Sequence, residues 1–277
     1  MGDAPARVLG LVAGQGELPV RAARSARESG RTVVAIAFPG QTDAALEGHA
    51  DVTWLHPGEV GAALDTLRTA GVSEAAMLGK VPKVRLISQR AGLRPDAEAE
   101  RLLAGLGDLR DDSILGAVAD LLEAHGIRLV AQTELLPDLV GRAGNLGRVL
   151  PTERQRADVK FGFGIAKTLA GLDVGQTVVV KDGAVIAVEA IEGTDAAIRR
   201  AGEIAAGACV VKVAKPSQDP RFDVPTIGPD TLVALRDARA ALLAFEADRT
   251  LVIGREELAQ ESDACGIGLF GFAEGMA

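Results

Sequence analysis

Through the first half of the chain, short apolar runs end in glycine and hand over to stretches whose apolar residues recur at helical spacing. This alternation is the strongest constraint on the fold. Arg7 to Ala13 (RVLGLVA) ends in Gly14-Gln15-Gly16, and Glu17 to Gly30 follows as a helix with a glycine stop. Thr32 to Phe38 (TVVAIAF) ends at Pro39-Gly40, Val52 to Leu55 makes a shorter strand, and Gly58 to Ala70 a helix closed by Gly71. Glu74 to Val81 is a further strand with Gly79-Lys80 near its end. Helices cover Asp96 to Leu106 and Asp112 to His125, and Arg128 to Leu135 (RLVAQTEL) reads as the last strand. Strands alternating with helices run parallel through helical crossovers, which places ligands at their carboxyl ends.

The pattern changes at Pro137 to Pro151 (PDLVGRAGNLGRVLP), a Gly- and Pro-rich stretch that reads as a linker between residues 1–136 and 152–277. Beyond it, Thr152 to Ala170 has helical character despite Gly162 and Gly164. Thr177 to Ile191 (TVVVKDGAVIAVEAI) sets two β-branched runs around Asp182-Gly183, a strong hairpin signal. Glu192-Gly193-Thr194-Asp195 opens a helix capped by Thr194 or Asp195. A strand over Cys209 to Val213, a helix over Pro229 to Leu243 and a strand over Thr250 to Ile253 follow. Hairpins mixed with helices predict an α+β second half.

Composition then narrows the chemistry. The length of 277 residues exceeds the usual span of one hydrophobic core and predicts two domains or one large α/β domain. Thirty basic against 38 acidic residues give a net charge of −8, with no basic block to follow a phosphate backbone, which excludes nucleic acid as an expected partner. Cys209 and Cys265 are too far apart for a metal clip and suit a reducing cytoplasm. His49, His56 and His125 are scattered, so any metal should be held by carboxylates. No run of apolar residues is long enough to span a bilayer, and a soluble chain that can touch a membrane surface is expected.

Four segments gather chemistry. Gly14-Gln15-Gly16, followed by Glu17-Leu18-Pro19, sits where a phosphate-binding turn meets a helix N-terminus. The glycines serve equally as a plain strand-to-helix turn. The last glycine of a dinucleotide fingerprint and its ribose-binding acid are both missing, which argues against NAD(P) and an oxidoreductase. Val211 to Thr231 (VKVAKPSQDPRFDVPTIGPDT) carries Lys212, Lys215, Asp219, Arg221, Asp223 and Thr226 between prolines that forbid a helix. Any one of these lysines reads as a surface ion-pair partner, but the cluster with Asp223 reads as a site. Glu192 and Asp195, with Thr194 between them and Arg199 and Arg200 beyond, suit either Mg²⁺ and an anion or a salt-bridged first helical turn. Asp111 and Asp112 read first as a helix cap, and otherwise as ligands for metal or ribose hydroxyls. His125 reads as a C-terminal cap, Trp54 as core and Cys209 as a small buried hydrophobe.

Three segments, LGLVAGQGELPV, GQTVVVKDGAVIAVEAIEGTDAAIRRAG and VVKVAKPSQDPRFDVPTIGPDT, resemble in order and spacing the LpxI family of UDP-2,3-diacylglucosamine pyrophosphatases. The resemblance covers nearly the whole chain, and its EGTD and RxDxPTIG motifs are specific; the chain departs from the pattern at Gln15, where a glycine is frequent. It implies an N-terminal Rossmann-like domain, a C-terminal α+β domain and a ligand cleft between them. It also implies Mg²⁺-dependent hydrolysis of the substrate to UMP and 2,3-diacylglucosamine 1-phosphate in lipid A biosynthesis, by water attack on the β-phosphorus. Asp223 matches the aspartate that the family needs for activity. The expected roles are then Asp223 on Mg²⁺ or water and Lys212, Lys215 and Arg221 on phosphate. Glu192 and Asp195 would bind metal or sugar, and Gly14, Gln15, Gly16, Thr194, Thr226, Asp111 and Asp112 would contact substrate. A homodimer in peripheral contact with the inner membrane is implied too. The rival outside enzymology is a nucleotide-sugar or lipid-binding protein without turnover.

Overall fold

The computed structural model describes residues 8–81, 94–107 and 111–273. Its contacts divide the chain into two units, Met1–Leu135 and Leu136–Ala277.

In the first unit, strands β1 (Val8–Ala13), β2 (Thr32–Ala37), β3 (Asp51–Trp54), β4 (Glu74–Leu78) and β5 (Arg128–Leu129) form a sheet in the order β3-β2-β1-β4-β5. Every pairing in it is parallel. Helices α1 (Leu18–Glu28), α2 (Val60–Thr69), α3 (Ala97–Ala104) and α4 (Asp111–Ala124) alternate with the strands, as predicted. β1 and β2 are apolar almost throughout because a parallel sheet is covered on both faces; Leu9, Leu11 and Ile36 are essentially inaccessible. The order reverses between β1 and β4, so the loops leaving these strands flank the switch point of a doubly wound sheet.

Two expectations for this unit change. The run Arg128 to Leu135 is a strand only over its first two residues and ends in a single helical turn, α5 (Gln132–Leu135). Its glutamine turns back, the buried Gln132 amide donating to the Met77 carbonyl at 2.7 Å. Trp54 is half-buried rather than core, because its indole N–H must reach Glu47 at the surface, 2.8 Å away. Asp96 has an unexpected double duty. Its carboxylate accepts from Ala99 N at the start of α3 and from Gly61 N and Ala62 N at the start of α2, so one side chain caps two helices.

The second unit holds a sheet in the order β6-β13-β11-β9-β7-β8, from β6 (Gly144–Asn145), β7 (Thr177–Lys181), β8 (Ala184–Val188), β9 (Cys209–Lys212), β11 (Leu242–Glu246) and β13 (Gly268–Phe272). A small parallel pair, β10 (Thr226–Ile227) with β12 (Leu251–Val252), lies outside it. The central strands β9, β11 and β13 run parallel, with antiparallel neighbours at both edges, so the sheet is mixed. Helix α6 (Glu153–Gly171) covers one face, burying Val159, Phe163 and Ala166 against Val178, Val180 and Val211. On the other face Val179, Val210 and Leu243 meet helices α7 (Thr194–Ile204), α8 (Pro229–Asp237) and α9 (Arg255–Ala264) through Ile198, Leu235 and Leu258. Alternate residues of one strand thus serve opposite layers.

Local chemistry explains the elements. Thr152 and Gln155 form a reciprocal capping box that starts α6. Gly162, which weakened the helix in the sequence, is there for packing: a Cβ would stand 2.9 Å from both Val180 Cγ2 and Val211 Cγ2. Asp182 and Gly183 both have positive φ, 54° and 76°, as the tight turn between β7 and β8 requires. The carboxylate of Asp158 on α6 accepts both of their N–H groups, at 2.9 and 2.7 Å. The stretch 137–151 is not a free linker. Val140 bridges to Leu251, Gly144 and Asn145 pair with β13, and Asp263 accepts the N–H groups of Arg148 and Val149. Those backbone groups find partners in the second unit, which therefore begins at Leu136.

Candidate active site

Strand direction gathers the functional segments of the second unit. Parallel β9 and β11 end at Lys212 and Glu246, antiparallel β7 begins beside Lys212 at Thr177, and β8 ends at Val188. The loops holding Lys212 to Thr226, Glu246 to Arg249 and Glu189 to Asp195 therefore open on one edge of the sheet.

Lys212 is buried, its ammonium donating to the Thr226 carbonyl at 3.0 Å, which ties the end of β9 to β10. Thr226 turns its hydroxyl to the Val224 carbonyl at 3.1 Å. Lys215 lies 2.8 Å from Asp173 and 3.8 Å from Asp223, a cation between two carboxylates. Asp223 sits at φ 56°, the left-handed region that Asp tolerates better than most residues. Its neighbours Phe222 and Val224 are buried, while its own side chain is 43% exposed. The backbone thus turns one carboxylate outward from an apolar footing. Gln218 fixes the turn, donating to the Asp223 carbonyl at 2.6 Å and to its carboxylate at 3.3 Å. Arg221 pairs with Asp219 through two guanidinium nitrogens, and this holds the Asp219 carboxyl below its ordinary value against the upward push of burial.

Sequence reasoning missed the residues beneath this loop. Glu246 is buried and accepts from Ala214 N at 2.8 Å and from the Lys167 ammonium at 3.0 and 3.1 Å. Lys167 also donates to the Ala214 carbonyl at 2.9 Å, and Arg249 to the Lys215 carbonyl at 3.1 Å. A charged residue ending the apolar run LLAFE was the available signal for Glu246; nothing local paired it with Lys167, 79 positions away.

At the EGTD motif the cap differs from expectation. Gly193 is the N-cap, at φ 84°, and neither Thr194 nor Asp195 caps α7. Thr194 instead donates its hydroxyl to the buried carboxylate of Glu189 at 2.8 Å. Glu192 is ion-paired with Arg200 at 2.7 Å, and Asp195 is half-buried in the first turn of α7. Among the described residues no three His, Cys, Asp or Glu side chains gather as a metal-ligand set. Mg²⁺ is usually held by one or two carboxylates plus substrate phosphates and water. The outward carboxylate of Asp223 fits that mode; Glu192, committed to an arginine, fits less well.

In the first unit, Gly14 N and Gln15 N donate to the carbonyls of Leu78 and Lys80, and Lys80 N returns a bond to Gln15 O at 2.9 Å. The two switch-point loops are thereby zipped together, and those two loop N–H groups are already spent. A Cβ on Gly14 would lie 2.8 Å from Lys80 O, so close backbone approach accounts for this glycine. Gly16 has φ 104° and the open conformation of a turn. Asp111 and Asp112 are the first residues of α4 rather than the cap before it; their side chains lie outside the described residues. His125 closes that helix with Nδ1 2.8 Å from the Leu121 carbonyl, and buried Cys209 has its thiol pushed up to about 12 by burial.

A doubly wound first unit and a mixed-sheet second unit whose strand-end loops set Lys215 beside an outward aspartate define a class of two-unit α/β protein. Residues 8–139 match the LpxI N-terminal domain and residues 142–270 the LpxI C-terminal domain. The UDP-2,3-diacylglucosamine pyrophosphatase LpxI of Caulobacter vibrioides is 32% identical over 279 residues, covering 96% of this chain and 97% of that protein. The chain belongs to the LpxI family.

Proposed function

We propose that this chain hydrolyses the pyrophosphate of UDP-2,3-diacylglucosamine to UMP and 2,3-diacylglucosamine 1-phosphate, a step of lipid A biosynthesis. The observation that carries the reading is Asp223, held outward beside Lys215 at the sheet edge within the family's RxDxPTIG motif. Phosphoryl transfer needs positioning and positive charge more than a protein nucleophile. Lys215 binds and neutralises the phosphate oxygens, and Lys212 and Arg221, tied in the structure to Thr226 and Asp219, add positive charge to the same loop. Asp223 orients the attacking water and takes its proton. The water oxygen bonds to the β-phosphorus, the bond from that phosphorus to the bridging oxygen breaks, and the bridging oxygen leaves with UMP. A divalent ion, Mg²⁺ by this reading, would be held by Asp223 with Asp195 or Glu192 as further oxygen donors, and would add positive charge against the pyrophosphate.

Glu189 holds Thr194 so that the start of α7 faces the same edge. Gly14, Gln15 and Gly16 contact substrate through surfaces other than the two zipped N–H groups, and Asp111 and Asp112 remain candidates for its hydroxyls. Among the described residues no helix is long and apolar enough to cross a membrane. The reading further includes a cytoplasmic homodimer that touches the membrane peripherally, where a diacylated substrate resides. The test is incubation with UDP-2,3-diacylglucosamine and Mg²⁺ in ¹⁸O-water. UMP release with label in the sugar phosphate is expected; label in UMP overturns attack at the β-phosphorus, and intact substrate overturns the activity.

A further inference from the structure

We infer that Glu246 is a positioning residue for Lys215, acting through the backbone of the loop that carries it; the inference rests on the pyrophosphatase reading above. Three charged side chains converge beneath Ala214 and Lys215. Glu246 takes the Ala214 N–H at 2.8 Å, Lys167 takes the Ala214 carbonyl at 2.9 Å, and Arg249 takes the Lys215 carbonyl at 3.1 Å. Glu246 holds both cations, with Lys167 at 3.0 Å and Arg249 at 3.7 Å. Lys215 N donates in turn to Gln218, the side chain that also fixes Asp223. Consecutive backbone groups at the root of Lys215 are thus anchored to one buried carboxylate or to its partners.

Stability alone is a poor account of this arrangement. A buried ion pair often adds no net stability over apolar residues of the same volume, because desolvation offsets the attraction. What the group does supply is geometry. Glu246 ends β11, the strand beside β9, so the sheet's own rigidity is transmitted to Lys215. A displacement of about 1 Å at a group that meets the transition state can cost on the order of 100-fold in rate.

The experiment is a double-mutant cycle on the full chain, measuring kcat and KM for UMP release well below each variant's melting temperature. Lys215→Met should lower kcat/KM about 100-fold. Glu246→Gln, which keeps an acceptor for Ala214 N but loses the charge, should lower kcat about tenfold with KM little changed. The double variant should fall about 100-fold, not about 1,000-fold, because Glu246 has no effect once Lys215 is gone. Arg249→Met, at a partly exposed position, repeats the cycle should Glu246→Gln fold poorly. Multiplicative losses, or single variants within twofold of wild type, overturn the positioning role while wild-type turnover stands. A wild-type chain without turnover overturns the function, and this role with it.

Discussion

Asp223 offers a test in which fold and chemistry can be separated, because its backbone and its carboxylate make different demands. At φ 56° an L-residue with a Cβ and no local hydrogen bond is strained by about 1–2 kcal/mol, whereas Asn tolerates the region much as Asp does. Asp223→Ala should therefore lose about 1 kcal/mol of stability from backbone strain alone. For a cooperative unit the size of Leu136–Ala277 that is a fall in Tm of about 4 °C. Asp223→Asn should melt within about 1 °C of wild type. Both variants remove the anionic oxygens that the proposed mechanism assigns to the water and a divalent ion, so on that mechanism both should lose at least about 100-fold in kcat. Calorimetry reads the first effect and UMP release the second. Asp223→Asn turning over within threefold of wild type would refute the assignment of the carboxylate. Equal melting temperatures for Ala and Asn would refute the strain.

Gly14→Ala should lower the stability of the first unit by about 1–3 kcal/mol, through overpacking against the Lys80 and Gly79 backbone. Unchanged urea denaturation with a raised KM would return Gly14 to direct phosphate contact. Asp96→Ala removes the cap of two helices and should cost about 2 kcal/mol, read by the same denaturation. Burial pushes the Asp96 carboxyl up, but four backbone N–H bonds outweigh it and hold the group below its ordinary 3.8. A depressed folded-state value means its stabilisation is present above about pH 4 and lost as pH falls through the folded value. Loss of the wild-type advantage over Asp96→Ala between pH 7 and 5 would contradict this. Native-state alkylation followed by mass spectrometry should mark exposed Cys265 and spare Cys209, whose buried thiol is pushed up to about 12; labelling of Cys209 at neutral pH would contradict the packing of β9.

What the sequence made legible was local or periodic. Asp182-Gly183 announces its turn because few other pairs accept two successive positive φ values. The alternation in the first half carries the parallel sheet for the same kind of reason. Gly- and Pro-rich 137–151 misled because the composition of a linker and that of a backbone packed against a sheet edge are alike. A Cβ on Gly141 would press on the Phe245 ring, and one on Gly271 would meet Arg142 O; neither contact leaves a pattern in the chain. Thr194 looked like a cap because hydroxyls usually cap, yet the Glu189 carboxylate was there to accept its hydrogen bond. The lysine-aspartate loop was recognisable as a cluster, but its support lies on strands and helices far away in sequence.

The two-residue strand β6 carries a consequence beyond its size. It covers the outer edge of β13, whose residues GLFGF are all buried. A fragment begun at Thr152, where the last long helix-sheet unit starts, would leave that apolar edge with open backbone donors and acceptors, the usual template for intermolecular strand addition. Fragments begun at Leu136 keep their own cover. The short strand is what separates a self-limiting sheet from a sticky one.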